Sequence, residues 1–231
     1  MGTVLPEGRL AVGMQLPIQS KSTNFVEPWE EHAGAVELAA VARAADDAGF
    51  FYIGVCDHIA IPSEKAGVMG TEWWDTVATL GWLAGITSEV RLLSHVYVPS
   101  YRHPLQVAKA FATIDAISGG RVILGVGAGH VEAEFDLLGL PFAKRGALLD
   151  ESIDAVRAAF AEDYPTLPGP VWPAADMGQH PRAIQEDGPP IWVGGSSPAA
   201  LRLAAQRGDV WLPQGPVTPE IIDEIKALRD Q

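Results

Sequence analysis

Short, mainly apolar runs alternate along the chain with longer stretches whose apolar positions recur every three or four residues. Runs of the first kind at 10–16, 51–56, 90–98, 122–126, 191–193 and 209–212 read as strands. Because they lack polar alternation, they are expected to be buried on both faces, as in a parallel sheet covered by helices. Stretches at 33–48, 74–86, 146–160, 198–207 and 219–229, and one opening at Pro104, read as helices. Gly49 stands where the first helix needs a left-handed closing residue. Pro104 suits a first helical turn, after which Leu105, Ala108, Phe111 and Ala112 share a face. The connection 164–190 holds seven of the chain's 18 prolines, shows no periodicity and reads as a loop.

Repeated strand-helix units predict right-handed βαβ crossovers and a parallel sheet. An open doubly wound sheet carries a glycine-rich turn after its first strand, whereas here that strand runs into Gln15-Leu16-Pro17. Conspicuous residues follow several different strands instead: Asp57-His58, Ser94-His95, 127–130 and 194–197. Sites assembled from the C-terminal ends of many strands are a barrel trait. The expected fold class is therefore α/β, a TIM-barrel-type parallel (β/α) barrel in one domain over residues 1–231. It is shortened, with about six of the eight strands a closed ring needs. Either the C-terminal βα units are missing from this chain or a neighbouring subunit covers the gap, because an open edge exposes unpaired backbone.

Composition narrows the classes. Hydrophobic residues make up 48% and charged residues 19% of the 231, which suits a packed globular core. A formal charge of −13 argues against nucleic acid or an anionic membrane as partner. Cys56 is the only cysteine, so no internal disulfide is possible. The first residues lack a basic stretch followed by an apolar run, and no run approaches the ~18 apolar residues of a membrane span. The expected address is the cytoplasm.

Chemistry concentrates after the strands. The Ser118–His130 stretch passes from a turn through an apolar strand to glycines spaced two apart, where backbone can approach a ligand closely. Ala128, Gly129 and His130 there offer N–H groups and one side chain. Gly194, Gly195, Ser196 and Ser197 precede a helix opened by Pro198, a setting that favours an anion or a capped helix start. His58 can shuttle a proton near neutral pH, or make a structural hydrogen bond with Asp57. Glu132 and Glu134 read as solvated or helix-capping, Trp73-Trp74 as a packing or rim pair, and Cys56 as a core residue. His32, His103 and His180 lack metal-ligand spacing, so no metal is expected.

With these landmarks placed, the chain resembles the luciferase-like monooxygenase superfamily, within it the F420-dependent oxidoreductases. The landmarks are Asp57-His58, Tyr101-Arg102-His103-Pro104, the segment 113–121, Gly125-Val126-Gly127-Ala128-Gly129, 138–142, 190–198 and 208–213. The resemblance implies a TIM barrel binding coenzyme F420, a 5-deazaflavin, or alternatively FMN, at its C-terminal face, with a small organic substrate and a homodimeric assembly. It places Asp57-His58 beside the ring and a cis peptide at His95-Val96, in a bulge with Ser94 that backs the ring. His58 and His130 are the implied catalytic side chains. Asp57, Ser94, His95, Val96, Ala128, Gly129, Gly194, Gly195, Ser196 and Ser197 are the implied cofactor-binding residues. Sugar-phosphate dehydrogenases of this family carry a glutamate at the position of His130 and a tryptophan soon after the Asp-His pair, where this chain runs Ile59-Ala60-Ile61-Pro62. Two activities follow from the resemblance, hydride transfer with F420 and FMN-dependent monooxygenation, and the missing strands add a third reading, a non-catalytic flavin-binding or partner-binding protein.

Overall fold

Six strands lie side by side in the order of the chain, all parallel: β1 (Gly13–Gln15), β2 (Tyr52–Val55), β3 (Arg91–Ser94), β4 (Val122–Val126), β5 (Ile191–Gly194) and β6 (Val210–Leu212). The computed structural model describes Leu5, Gly8 and residues 10–23, 26–215 and 217–230. The N-terminal stretch read for a targeting signal, apart from Leu5 and Gly8, lies outside these residues. Strand order that never reverses is the order of a barrel wall, since a doubly wound sheet starts from its middle and grows both ways. Among the described residues β1 and β6 pair only with β2 and β5, so the six strands form an open arc of a TIM-barrel-type α/β fold. No helix among the described residues is long and apolar enough to cross a membrane.

Four helices begin where the sequence supplies a capping side chain. Asp75 accepts the Ala78 amide at the start of α3 (Thr76–Ile86), and His103 accepts the Leu105 amide ahead of α4 (Pro104–Ser118). Ser197 and Thr218 do the same for α7 (Pro198–Arg207) and α8 (Pro219–Arg229), each followed by proline in the first turn. Gly49, at φ 74°, follows α1 (Ala35–Asp47) in the left-handed conformation expected of it. Three further helices are α2 (Ala66–Met69), α5 (Glu132–Leu137) and α6 (Arg145–Ala161). The sequence pattern missed α2 and α5 because four and six residues are too few for a 3.6-residue period to repeat.

Alternate strand residues feed two apolar layers, which is why no polar alternation marks these strands. Ile53, Val55, Leu92, Leu124, Val126 and Val193 face the helices and pack with Leu38, Leu80, Leu83, Phe111 and Ile153. Leu93, Ile123, Trp192 and Leu212 fill the interior of the arc, with Phe51, Tyr52 and Val210 against them. Two strand expectations run too long. Positions 10–12 do not join β1, an edge strand with one partner, and Leu10 is 90% exposed. β3 stops at Ser94 rather than reaching Val98, because the backbone turns at His95-Val96, whose peptide is cis. Tyr97 then re-enters the ladder, donating to Gly125 O and accepting from the Gly127 amide. The loop 162–190 is fixed at its end by Asp115, fully buried on α4, which accepts from the Ile184 and Gln185 amides and the Gln185 side chain.

Candidate functional site

The C-terminal end of the arc gathers the loops that leave β2, β3, β4 and β5. Asp57, the first polar residue after β2, turns inward and is 4% exposed. Its two oxygens meet the Arg102 guanidinium at 2.7 and 2.8 Å, and it also accepts from the Val98 amide at 2.9 Å and the Thr76 hydroxyl at 3.3 Å. The Arg102 guanidinium carbon lies over the Tyr97 ring, 4.3 Å from its centroid. The carboxylate thus ties the β2 loop to the segment that follows β3.

His58, the next residue, points into the rim. Its Nδ1 is 3.0 Å from Glu134 Oε2, and its ring stands edge-on to Trp73 at 4.3 Å and to His130 at 5.5 Å between centroids. Glu134 is 1% exposed, contrary to the expectation of a solvated or capping residue. The short helix α5 swings its side chain back over the β2 loop. There Oε1 accepts from the Ile59 and Ala60 amides, and Oε2 takes the Tyr101 hydroxyl at 3.2 Å as well as the His58 ring. Burial raises the Glu134 pKa, but the hydrogen bond and charge of His58 and the two amides outweigh it and hold the carboxyl below its ordinary value. Burial, then the Glu134 charge, pushes the Tyr101 phenol far up, so Tyr101 remains a donor. Glu132, at the start of α5, is exposed as expected.

His130 sits at the lip and is exposed. Surrounding protein, then the charges of His58 and Lys65, hold its pKa below the usual histidine range. Behind it, the amides of Ala128, Gly129 and His130 donate to no protein group among the described residues. The floor is shaped by missing side chains. A Cβ on Gly125 would overlap the Ser94 carbonyl oxygen, and one on Gly127 or Gly194 would fall 2.6 or 2.8 Å from a Val96 methyl. Val96 therefore lies between two glycines of neighbouring strands, filling the space their side chains would take. Ser94 is fully buried and donates to Gly125 O at 2.9 Å. His95 packs edge-on to Tyr52, with its Nδ1 buried and without a hydrogen-bond partner among the described residues. Burial lowers its pKa, which keeps the ring neutral.

The β5 loop closes the other side. Ser196 exchanges two hydrogen bonds with the Gln214 backbone, and Ser197 caps α7. The Ser196 hydroxyl is thereby committed, whereas Ser197 only accepts, so its O–H and the backbone amides remain for any anion there. A cavity of roughly 490 Å³ opens between α6 and α7, reaching the rim at Ala128, Gly194 and Ser197. Arg145, Arg202 and Arg207 line it. Arg207 is held by Asp154 at 2.9 Å, whereas Arg202 is exposed with no ion-pair partner among the described residues.

His58, His130, Val96, Ala128, Gly129 and Gly194 thus share one rim. Asp57, Ser94 and Ser196 have their polar atoms committed inside the protein. Glu134, Tyr101 and Trp73 belong to the cluster, and sequence reading passed over Glu134 because a short helix carries it back to a loop 76 residues away. Cys56 is half-buried on the inner face, where its Sγ accepts from Gln15 and Gln19 rather than joining the helix-facing core. Between β1 and α1, Asn24 and Phe25 lie outside the described residues.

Comparison with known proteins gives consistent similarities. An uncharacterised protein of Mycobacterium tuberculosis is 32% identical over 206 residues, covering 83% of this chain and 70% of its own. An F420-dependent glucose-6-phosphate dehydrogenase of Nakamurella multipartita is 32% identical over 208 residues, or 87% of this chain and 59% of that enzyme. The crystal structure of a monooxygenase from Streptomyces bottropensis superposes with a TM-score of 0.79 at 28% identity, covering 95% of this chain and 64% of the other. The chain therefore spans about three fifths of the length of the latter two proteins. The sequence pattern of the luciferase-like monooxygenase family matches residues 14–229, and the chain belongs to that family.

Proposed function

We propose that this chain carries the hydride-transfer site of an F420-dependent oxidoreductase acting on a small organic substrate. The observation that carries the reading is the rim itself. Four strand ends bring His58, His130, the unpaired amides of 128–130 and the Val96 floor to one place, in a family that includes F420-dependent dehydrogenases. These groups fit a flat ring with polar edges. The free amides and the unpartnered His95 Nδ1 would satisfy the edges, while Val96 and the glycines present a side-chain-poor backing. The amides ahead of α7, with Arg145 and Arg202 along the cavity, suit an anionic tail.

When bound, the deazaflavin supplies the carbon that gives or accepts hydride. The protein's own part is to hold that ring and the substrate and to move the accompanying proton. His58 stands where its ring can take the proton of a substrate hydroxyl during oxidation, or return it to a carbonyl in the reverse direction. His130, neutral near pH 7 because its pKa is lowered, contacts the substrate as a hydrogen-bonding group rather than as a charge. The Trp73 edge and the exposed Ile59 supply apolar walls near the mouth and limit water there.

A second reading, FMN-dependent monooxygenation, is favoured by the likeness to the Streptomyces monooxygenase. Fluorescence titration of the protein with F420 and with FMN separates the two. Saturable micromolar binding of F420 with none of FMN supports the proposal. The reverse order transfers it to the monooxygenase reading, and binding of neither overturns both.

A further inference from the structure

Glu134 is the only carboxylate in direct contact with His58 among the described residues, and nothing in the hydride-transfer reading uses it. A buried acid that accepts two backbone amides, a phenol and an imidazole has a hydrogen-bonding pattern with one consistent solution. An ionised carboxylate only accepts, so each of its four neighbours must donate. The Ile59 and Ala60 amides are donors by nature, and the Tyr101 phenol remains one. The fourth donor must then be Nδ1 of His58, and in the neutral ring that leaves Nε2 free to accept. The Trp73 and His130 rings flank the imidazole edge-on and restrict its rotation.

We infer that Glu134 is a positioning residue that fixes the His58 ring with its proton on Nδ1, so that Nε2 stands bare toward the substrate as a proton acceptor. The carboxylate acts through the imidazole, as the acid of a catalytic triad orients its histidine. Tyr101 braces the same oxygen, and the two amides lock the β2 loop that carries His58. The catalytic consequence rests on the hydride-transfer reading; the tautomer does not.

The test is a long-range ¹H–¹⁵N correlation spectrum of ¹⁵N-histidine-labelled protein without cofactor at pH 8.5, the His58 signals being assigned by their loss in His58→Gln. The expected wild-type pattern has Nδ1 protonated and Nε2 bare. Glu134→Gln keeps the shape. Its carbonyl oxygen can serve the Ile59 and Ala60 amides, which turns its NH₂ toward the imidazole and moves the ring proton to Nε2. Glu134→Asp, which retains a carboxylate, restores the wild-type pattern. A wild-type ring carrying a proton on Nε2, alone or with Nδ1, overturns the inference without any variant. So does a Glu134→Gln protein of normal melting temperature whose tautomer is unchanged. Failure of F420 and FMN to bind would remove the hydride-transfer reading while leaving this result intact.

Discussion

Replacing Asp57 by alanine tests whether the residue ahead of His58 serves the fold rather than a ligand. The carboxylate is 4% exposed and engages Arg102 through both oxygens at 2.7 and 2.8 Å. Its removal leaves a guanidinium whose side chain is 19% exposed facing only the Tyr97 ring. Breaking a buried ion pair from one side costs about 3–5 kcal/mol. The Val98 amide, on a residue 5% exposed, also loses its acceptor at 2.9 Å, a loss of about 1–3 kcal/mol. The two losses share one carboxylate and do not add in full, so about 4–6 kcal/mol is the expected total. A chain of this length loses about 2–4 °C of Tm per kcal/mol, which predicts a drop of about 8–24 °C. Thermal and urea unfolding followed by circular dichroism measure it. Pairing the change with Arg102→Met, which keeps the apolar stem, removes the stranded charge. The double variant should therefore lose at least about 2 kcal/mol less than the sum of the single losses. A melting temperature within about 2 °C of wild type for Asp57→Ala, or strict additivity, refutes the reasoning.

Three other outcomes follow from the same geometry. Gly127→Ala is expected to cost about 1–3 kcal/mol through contact with Val96, and less in a Val96→Ala background, as urea titrations of the four proteins would show. Burial, opposed by the Gln19 hydrogen bond, pushes the Cys56 thiol up to about 11, so alkylation by iodoacetamide at pH 8 should run about 10²-fold slower than for a free thiol. An alkylation rate equal to that of glutathione would contradict this placement. The Glu134 pKa is lowered on folding, so its contribution is present above the ordinary glutamate value of 4.5 and lost as pH falls through the lower folded value. Melting temperatures of wild type and Glu134→Gln should therefore draw together as pH is lowered below that range. A gap that stays constant to pH 3 would contradict it.

The barrel wall was legible because buried parallel strands leave continuous apolar runs, and 122–126 matches β4 at both ends. Helices opened by proline, α4, α7 and α8, were equally legible, since proline fixes the first turn whatever the tertiary context. Residues immediately after strands could be placed on the rim for the same reason. The partnerships of their side chains could not. Asp57 finds Arg102 45 residues on, and His58 finds Glu134 76 residues on, pairings that only the closing of three βα units creates. The fate of Ser196 depended likewise on Gln214, in the loop after β6. Burial of Glu134 was hidden for a further reason: in sequence it alternates with the acids Glu132 and Asp136 at a helix start, the setting of a solvated acid.

The Val96 seam constrains how this scaffold can be altered. Where a barrel floor is lined by large side chains, trimming or enlarging them remodels the chamber directly. Here Gly127 and Gly194 have nothing left to trim, and growth at either is blocked by the valine between them. If the proposed function holds, variation in what the protein accepts would come from the lip, at His130, Trp73 and the 59–62 segment, rather than from the floor. On that proposal, a library confined to those lip positions should change substrate preference without disturbing the Val96 floor.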